Sequence, residues 1–123
     1  MRIPYERFEI MVSEVVEALP PDYREKLEDV QLVVMEEPTP AQIEELGGDP
    51  SDPPLGVYLG TSILEQSAFD TQFEPNTIVL FQKLIEEICG NEVEVAEEVR
   101  LTLLHEIAHH FGIDEGQMPE SVR

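Results

Sequence analysis

Apolar side chains recur every three or four positions from Pro4 to Leu19, and this spacing lines one face of a helix. Pro20 and Pro21 end that helix, because the residue before a proline avoids the helical conformation. Pro21 and Asp22 then open a short second helix, since both residue types favour a helix N-terminus. The pattern therefore predicts two consecutive helices.

Three apolar runs predict strands: Gln31 to Glu36, Leu55 to Leu64 and Thr77 to Phe81. The stretch 36–54 between the first two is crowded with Pro, Gly and Asp, which is typical of a surface loop. It holds one possible helical turn at Ala41 to Leu46. A polar stretch separates the second run from the third.

Two helices follow the third strand. The first runs from Gln82 to Cys89 and is predicted to close at Gly90, a residue common at helix C-caps. Asn91 is a good N-cap for the second helix, which continues to Phe111 and stops at Gly112. This last helix is the longest element that the pattern predicts.

The chain has 123 residues, which predicts a single domain spanning residues 1–123. Its 27 acidic and 7 basic residues give a net charge of −20. Such a charge repels nucleic acid phosphates and anionic membranes but favours cations. We therefore expect neither a nucleic acid nor a membrane partner. An alternative, that the acidity mimics nucleic acid for a basic protein, rests on charge alone.

Cysteine content and the first residues predict a cytoplasmic location. Cys89 is the only cysteine, so no internal disulfide can form, and it is predicted to be a small buried apolar residue. Glutamates interrupt the apolar residues near the N-terminus, unlike those of a secretory signal. No apolar run approaches the roughly 20 residues that cross a bilayer.

All three histidines lie within residues 105–110, on the last helix. His105 and His109 are one turn apart and opposite the apolar side of that helix, so their rings can converge on one metal ion. The predicted apolar side consists of Ala96, Val99, Leu103, Leu104, Ile107, Ala108 and Phe111. His110 falls at the flank of that side and is predicted to be a histidine at the edge of the core.

Glu106 completes the pattern His-Glu-x-x-His. Zn²⁺ in such a site lowers the pKa of its water to roughly 7, and a neighbouring carboxylate can take the proton. Catalytic zinc usually needs a third protein ligand. Gly112 lets the chain turn back, and Asp114 and Glu115 are the first residues able to bring an oxygen to the metal.

The motif His105-Glu106-x-x-His109-x-x-Gly112-x-x-Glu115 resembles that of zincins whose third ligand follows a glycine turn. More closely, the chain resembles the small bacterial single-domain zincin-like proteins sometimes called minimal metalloproteases. The segments "GVYLGTSI", "NTIVLFQKLIEEI" and "LTLLHEIAHHFGIDE" carry the resemblance, which extends over about two-thirds of the chain.

The resemblance implies that His105 and His109 bind zinc, that Glu106 is the general base, and that an acid after Gly112 is the third ligand. Members of this family often have Asp at the eleventh motif position, which is Glu115 here. Spacing favours Glu115, but Asp114 precedes it and stays an alternative.

The fold class expected is α/β in the loose, α+β sense: a mixed sheet of three or four strands packed with helices, including a C-terminal metal-binding helix. The resemblance also implies an edge strand above that helix, on which an extended peptide substrate can pair. Either Leu55 to Ile63 or Thr77 to Phe81 would take this place. Tyr58 is predicted to pack rather than to steady an oxyanion, and Arg100 is predicted to neutralise a carboxylate or to cap a neighbouring element.

These observations predict a zinc-dependent metallopeptidase that acts on peptides or proteins. A second hypothesis is a non-catalytic module whose zinc stabilises the last helix or presents a surface to a protein partner. The sequence leaves the oligomeric state open.

Overall fold

The structure is a computed structural model that describes residues 2–45, 51, 53–60 and 76–111. This part of the chain contains five α-helices and a three-stranded sheet. The elements are α1 Tyr5–Glu17, α2 Pro21–Lys26, β1 Gln31–Met35, α3 Pro40–Glu45, β2 Gly56–Leu59, β3 Thr77–Phe81, α4 Gln82–Glu87 and α5 Glu92–Phe111. A 3-10 turn, Leu27–Asp29, follows α2. None of the described helices combines the length and apolar character that a bilayer crossing requires.

The sheet has the order β1-β3-β2, with β1 parallel and β2 antiparallel to β3. All five side chains of β3 are buried, which explains why its sequence is a continuous apolar run rather than an alternation. The predicted fold class, α/β with a small mixed sheet of three or four strands, is confirmed with three strands in the described residues. The single domain over residues 1–123 stays a prediction.

The main core lies on the face of the sheet that α1, α2 and α5 cover. Ile78 and Leu80 of β3 point into it, while Val79 and Phe81 pack with Leu59 on the opposite face. The residues of α5 that belong to the main core are Val95, Val99, Leu103, Leu104, Ile107 and Ala108. The predicted apolar side of α5 is thus confirmed, with Val95 added and with Ala96 and Phe111 only half-buried. Cys89 is buried, as predicted.

The N-terminus of α5 is capped by side chains, as Asn91 predicts. The Glu94 backbone N–H donates to Asn91 Oδ1 at 2.9 Å, and the Gly90 N–H donates to Glu94 Oε1 at 2.8 Å. These bonds satisfy amides that have no partner inside the helix. The prediction that Gly90 closes the preceding helix is wrong, because α4 ends at Glu87 and Gly90 instead contributes to the start of α5.

A second cap accounts for α3, where the sequence indicated only a possible turn. The Thr39 N–H donates to Gln42 Oε1 at 2.9 Å and the Gln42 N–H donates to Thr39 Oγ1 at 3.1 Å. Together with Pro40 in the first helical position, this reciprocal pair fixes the start of a six-residue helix. The predicted second strand is shorter than expected, at Gly56–Leu59, and its predicted end lies outside the described residues.

Glu86 of α4 fastens the segment before α1 to the core. Its buried carboxylate accepts hydrogen bonds from Arg2 Nη1 at 2.8 Å, the Ile3 N–H at 2.9 Å and Gln82 Nε2 at 2.8 Å. The Gln82 amide also donates to the Ile3 carbonyl at 2.8 Å. Glu86 is only 1% exposed, so without it the buried Ile3 N–H and Gln82 amide would lose an acceptor without gaining water, whereas Arg2, which is 63% exposed, would be solvated.

Glu86→Ala should therefore lower the free energy of unfolding by about 3 kcal/mol, since it leaves buried donors unsatisfied. Urea denaturation measures this change as a shift in midpoint at constant slope. Glu87→Ala is the matched control, because Glu87 is the exposed neighbour on the same helix. Equal midpoints for the two variants would contradict a stabilising role for Glu86.

Candidate metal site

His105 and His109 are both exposed on α5, on the side away from the buried face. Their ring centroids are 6.0 Å apart and their planes differ by only 7°. The helix holds the two Cα atoms one turn apart, and solvent around the rings leaves them free to rotate toward a common ion. The core packing of α5 thus fixes the position of both candidate ligands.

Glu106, by contrast, is mostly buried, with 16% of its side chain exposed. Burial raises the pKa of this carboxyl group above its usual value. The charge of His109 and a hydrogen bond from the Tyr58 backbone oppose that rise. A carboxylate with a raised pKa is a stronger base, which suits proton transfer near neutral pH.

His110 contacts Glu106 rather than the core alone. Its Nε2 atom lies 3.1 Å from Glu106 Oε2, and its ring centroid lies 4.9 Å from that of Tyr58. Burial, followed by the charges of His109 and His105, lowers the pKa of His110. The sequence analysis placed His110 at the edge of the core and missed this contact. The four-residue spacing from Glu106, equal to that of the two candidate ligands, was the available signal.

Tyr58 of β2 packs against the end of α5, as predicted. Its ring meets Phe111 edge-on at a centroid distance of 5.2 Å, and its hydroxyl donates to Asn76 Oδ1 at 2.6 Å. Asn76 has a φ of 66°, a left-handed conformation that Asn tolerates better than most residues. The Asn76 amide also donates to the Asp29 carbonyl at 2.7 Å, so the tyrosine hydroxyl is tied to the loop before β1.

One edge of the described sheet is β2, next to α5. The carbonyls of Leu55 and Leu59 accept hydrogen bonds from the N–H groups of Phe81 and Asn76, so these residues face β3. Alternation along an antiparallel strand then turns the backbone polar groups of Gly56 and Tyr58 away from β3. Of the two candidates for the edge strand above the site, β3 is excluded because it is central.

A cleft of about 420 Å³ separates the start of β2 from α5. His105 and Glu106 form part of its wall, together with Pro54, Leu55, Gly56, Leu101 and Thr102. Apart from the two site residues and the Thr102 hydroxyl, the described side chains that line it are apolar. The candidate base therefore borders a space that can hold an apolar group.

Gly56 allows β2 to approach α5 closely. A Cβ atom at this position would lie 2.7 Å from Thr102 Cγ2 and 3.1 Å from the Val79 carbonyl oxygen. Both distances are shorter than ordinary van der Waals contact, so a side chain would force the strand and the helix apart. The width of the cleft thus depends on the missing side chain of this glycine.

Gly56→Ala is expected to lower the free energy of unfolding by about 1–3 kcal/mol through overpacking. Gly60→Ala is the matched control, because among the described residues its Cβ would meet only the edge of the Tyr58 ring, at 3.4 Å. That control should change stability by less than about 1 kcal/mol. Denaturant titration of both variants checks the difference, and a Gly56→Ala protein as stable as wild type would refute the close approach.

The two histidines fit part of a zinc site, since exposed imidazoles one turn apart are common zinc ligands. No group of three His, Cys, Asp or Glu side chains at ligand spacing occurs within residues 2–45, 51, 53–60 and 76–111. Glu115 and Asp114, the candidates for the third ligand, lie outside the described residues. The assignments of His105, His109, Glu106 and Glu115 stay predictions.

Arg100 pairs with Glu97, which confirms its predicted role of neutralising a carboxylate. Its Nη2 atom lies 2.6 Å from Glu97 Oε1. The hydrogen bond from Arg100 lowers the pKa of Glu97. Arg100 thus contributes to the surface of α5 rather than to the cleft.

A comparison with protein families finds a match over most of the chain. The profile of the zincin-like metallopeptidase family matches residues 27–122, a range that includes the whole His-Glu-x-x-His motif. The chain belongs to the zincin-like metallopeptidase family. Zinc binding and peptide hydrolysis are thus its expected properties at the level of the family.

A solved structure similar to this member of the zincin-like family is that of a conserved hypothetical protein from Thermo thermophilus. The two sequences are 26% identical, and the alignment covers 93% of this chain and 99% of that chain, with a TM-score of 0.56. No curated protein matches the chain significantly. The family resemblance expected from the motif is thus confirmed.

Proposed function

We propose that this protein is a zinc-dependent peptidase in which Glu106 is the general base. One observation carries the proposal: Glu106 is held, largely buried, in the wall of a cleft between a sheet edge and α5, directly beside two exposed histidines. Membership of the zincin-like family supports the zinc and the reaction class.

His105 and His109 would hold the metal, with Glu115 as the third ligand and Asp114 as the alternative. Zinc, when bound, polarises the substrate carbonyl and makes a coordinated water more acidic. Carboxylate and imidazole donors match the ligand preferences of this ion. The set then combines two imidazoles with one carboxylate, as in other catalytic zinc sites.

Glu106 moves the proton in the proposed reaction. Its carboxylate takes a proton from water as the water oxygen bonds to the peptide carbonyl carbon. It then gives the proton to the departing amine nitrogen as the C–N bond breaks. In the metal-free chain burial raises the pKa of Glu106, and the positive charge of a bound zinc ion would lower it again.

The substrate proposed is an extended peptide or protein segment. The outward-facing backbone groups of Gly56 offer a strand edge for pairing, and the cleft beside Glu106 offers an apolar space for one substrate side chain. A net charge of −20 also favours peptides that carry basic residues. Neither nucleic acid nor a membrane is part of the proposal, and we propose that the protein acts in the cytoplasm.

A peptide library incubated with zinc-loaded and with chelated protein tests the proposed function. We expect cleavage next to apolar residues with zinc and no cleavage after chelation, together with equimolar zinc in the purified protein. If the protein binds zinc but cleaves no peptide in the library, the proposed peptidase activity is wrong.

The alternative is the non-catalytic module, in which zinc serves stability or a protein contact. Six buried side chains pack α5 into the core, so its place in the fold does not rest on metal ligation alone. Any ion that binds only the native state adds stability, by about 4 kcal/mol at a thousandfold excess over its Kd. A melting shift therefore fits both functions, and hydrolysis is the measurement that separates them.

A further inference from the structure

We infer that His110 is a positioning residue that holds the Glu106 carboxylate in place for proton transfer. The inference rests on the proposed function, because it assigns a task to a third histidine beside the proposed base. His110 Nε2 lies 3.1 Å from Glu106 Oε2 on the same face of α5. That separation is within the usual range of an N–H···O hydrogen bond.

The contact constrains Glu106 at one of its two oxygens. The Tyr58 backbone, on the neighbouring strand, also acts on this carboxylate and lowers the pKa of Glu106. Two groups from two different elements fix the side chain more tightly than one, because each removes a rotational freedom of the carboxylate. A proton acceptor gains most when its orientation is set before the substrate arrives.

A contact with Tyr58 restrains the His110 ring. Its ring lies against the Tyr58 ring at 4.9 Å, with the planes inclined by 32°. The Tyr58 hydroxyl donates to Asn76, and Asn76 donates onward to the Asp29 carbonyl. The chain of contacts from Asp29 to Glu106 thus braces the imidazole with residues from three separate parts of the sequence.

His110 differs from its neighbours in what it contacts rather than in exposure. About a third of its side chain, 35%, is open to solvent, and His105, His109 and His110 are all exposed residues. The His110 ring is nearly perpendicular to that of His109, at 85°. An imidazole that is packed between a tyrosine and a carboxylate is better placed to orient the carboxylate than to bind an ion from solvent.

The first experiment detects the contact between His110 and Glu106 without a measurement of catalysis. Long-range ¹H–¹⁵N spectra of zinc-free, ¹⁵N-labelled protein, recorded above the ordinary pKa of histidine, report which ring nitrogen carries the proton. We expect His110 to carry it on Nε2, and its ring shifts to change in Glu106→Ala but not in the control Glu97→Ala. The inference would be overturned if His110 carried the proton on Nδ1, or if its ring shifts were the same in Glu106→Ala as in the wild type.

The second experiment compares two replacements in the zinc-loaded protein. His110→Phe keeps a ring against Tyr58 but removes the donor, and should lower kcat about 10-fold with KM and zinc content unchanged. His110→Gln places an amide N–H near the Nε2 position and should recover most of that loss. A merely structural role predicts the opposite order, with phenylalanine the milder change.

The results separate failure of this inference from failure of the proposed function. If His110→Phe keeps full activity, or if this variant loses zinc, the positioning role is wrong. Neither result contradicts the proposed peptidase activity. A wild-type protein that cleaves nothing overturns the peptidase and the catalytic task of His110 with it. The ring-nitrogen spectrum then still decides whether His110 binds Glu106.

Discussion

Glu106→Gln should lower peptide hydrolysis by about 10³-fold, within the 10²–10⁴-fold range that general acid–base groups contribute. Glutamine has nearly the same shape as glutamate but cannot take up the proton. The two histidines are unchanged, so zinc content should equal that of the wild type. The measurement is kcat/KM on the best peptide of the library, with zinc quantified in the same sample.

The control for this variant is Glu97→Gln, which changes an exposed carboxylate on the same helix that pairs with Arg100 away from the cleft. It should keep nearly full activity, because only a surface ion pair is lost. If Glu106→Gln retains wild-type kcat/KM while binding zinc, another group is the base and the proposed mechanism is wrong.

His109→Ala should abolish stoichiometric zinc binding. Removing one direct ligand should weaken affinity by more than the 10–100-fold that loss of an outer-shell partner typically costs. The His109 side chain is exposed, so the free energy of unfolding of the metal-free protein should change by less than about 0.5 kcal/mol. Metal analysis after gel filtration, together with urea denaturation in chelator, measures both quantities.

The matched control is His110→Gln, which removes an imidazole from the adjacent position. It should retain equimolar zinc, because His110 contacts Glu106 and is not a proposed ligand. Should His109→Ala keep full zinc while His110→Gln loses it, the ligand assignment would have to be reversed between the two histidines.

Local signals in the sequence were strong enough to predict several elements closely. The bounds of β3 agree with prediction at both ends, since a short apolar run enters a helix directly. Those of α5 agree as well, because Asn91 caps its start and a long apolar stripe follows. The exposure of His105 and His109 follows from the same helical period.

Other features depend on contacts between distant residues, which periodicity does not report. The central position of β3 follows from pairing with strands far apart in sequence, so the edge strand stayed open between two candidates. The cap at Gly90 was misassigned because glycine is also tolerated ahead of an N-cap. The hydrogen bond between Glu106 and the Tyr58 backbone joins two elements and left no pattern along the chain.

The helix that carries the candidate ligands is also the principal core helix, and this has a consequence for hydrogen exchange. The amide protons of Leu103, Leu104 and Ile107 should exchange with solvent only through global unfolding, because these side chains are fully enclosed. The backbone beneath the histidines is then among the best protected of the described residues. Adjustment to peptides of different shape is expected to come from side-chain rotation and from parts of the chain other than this helix.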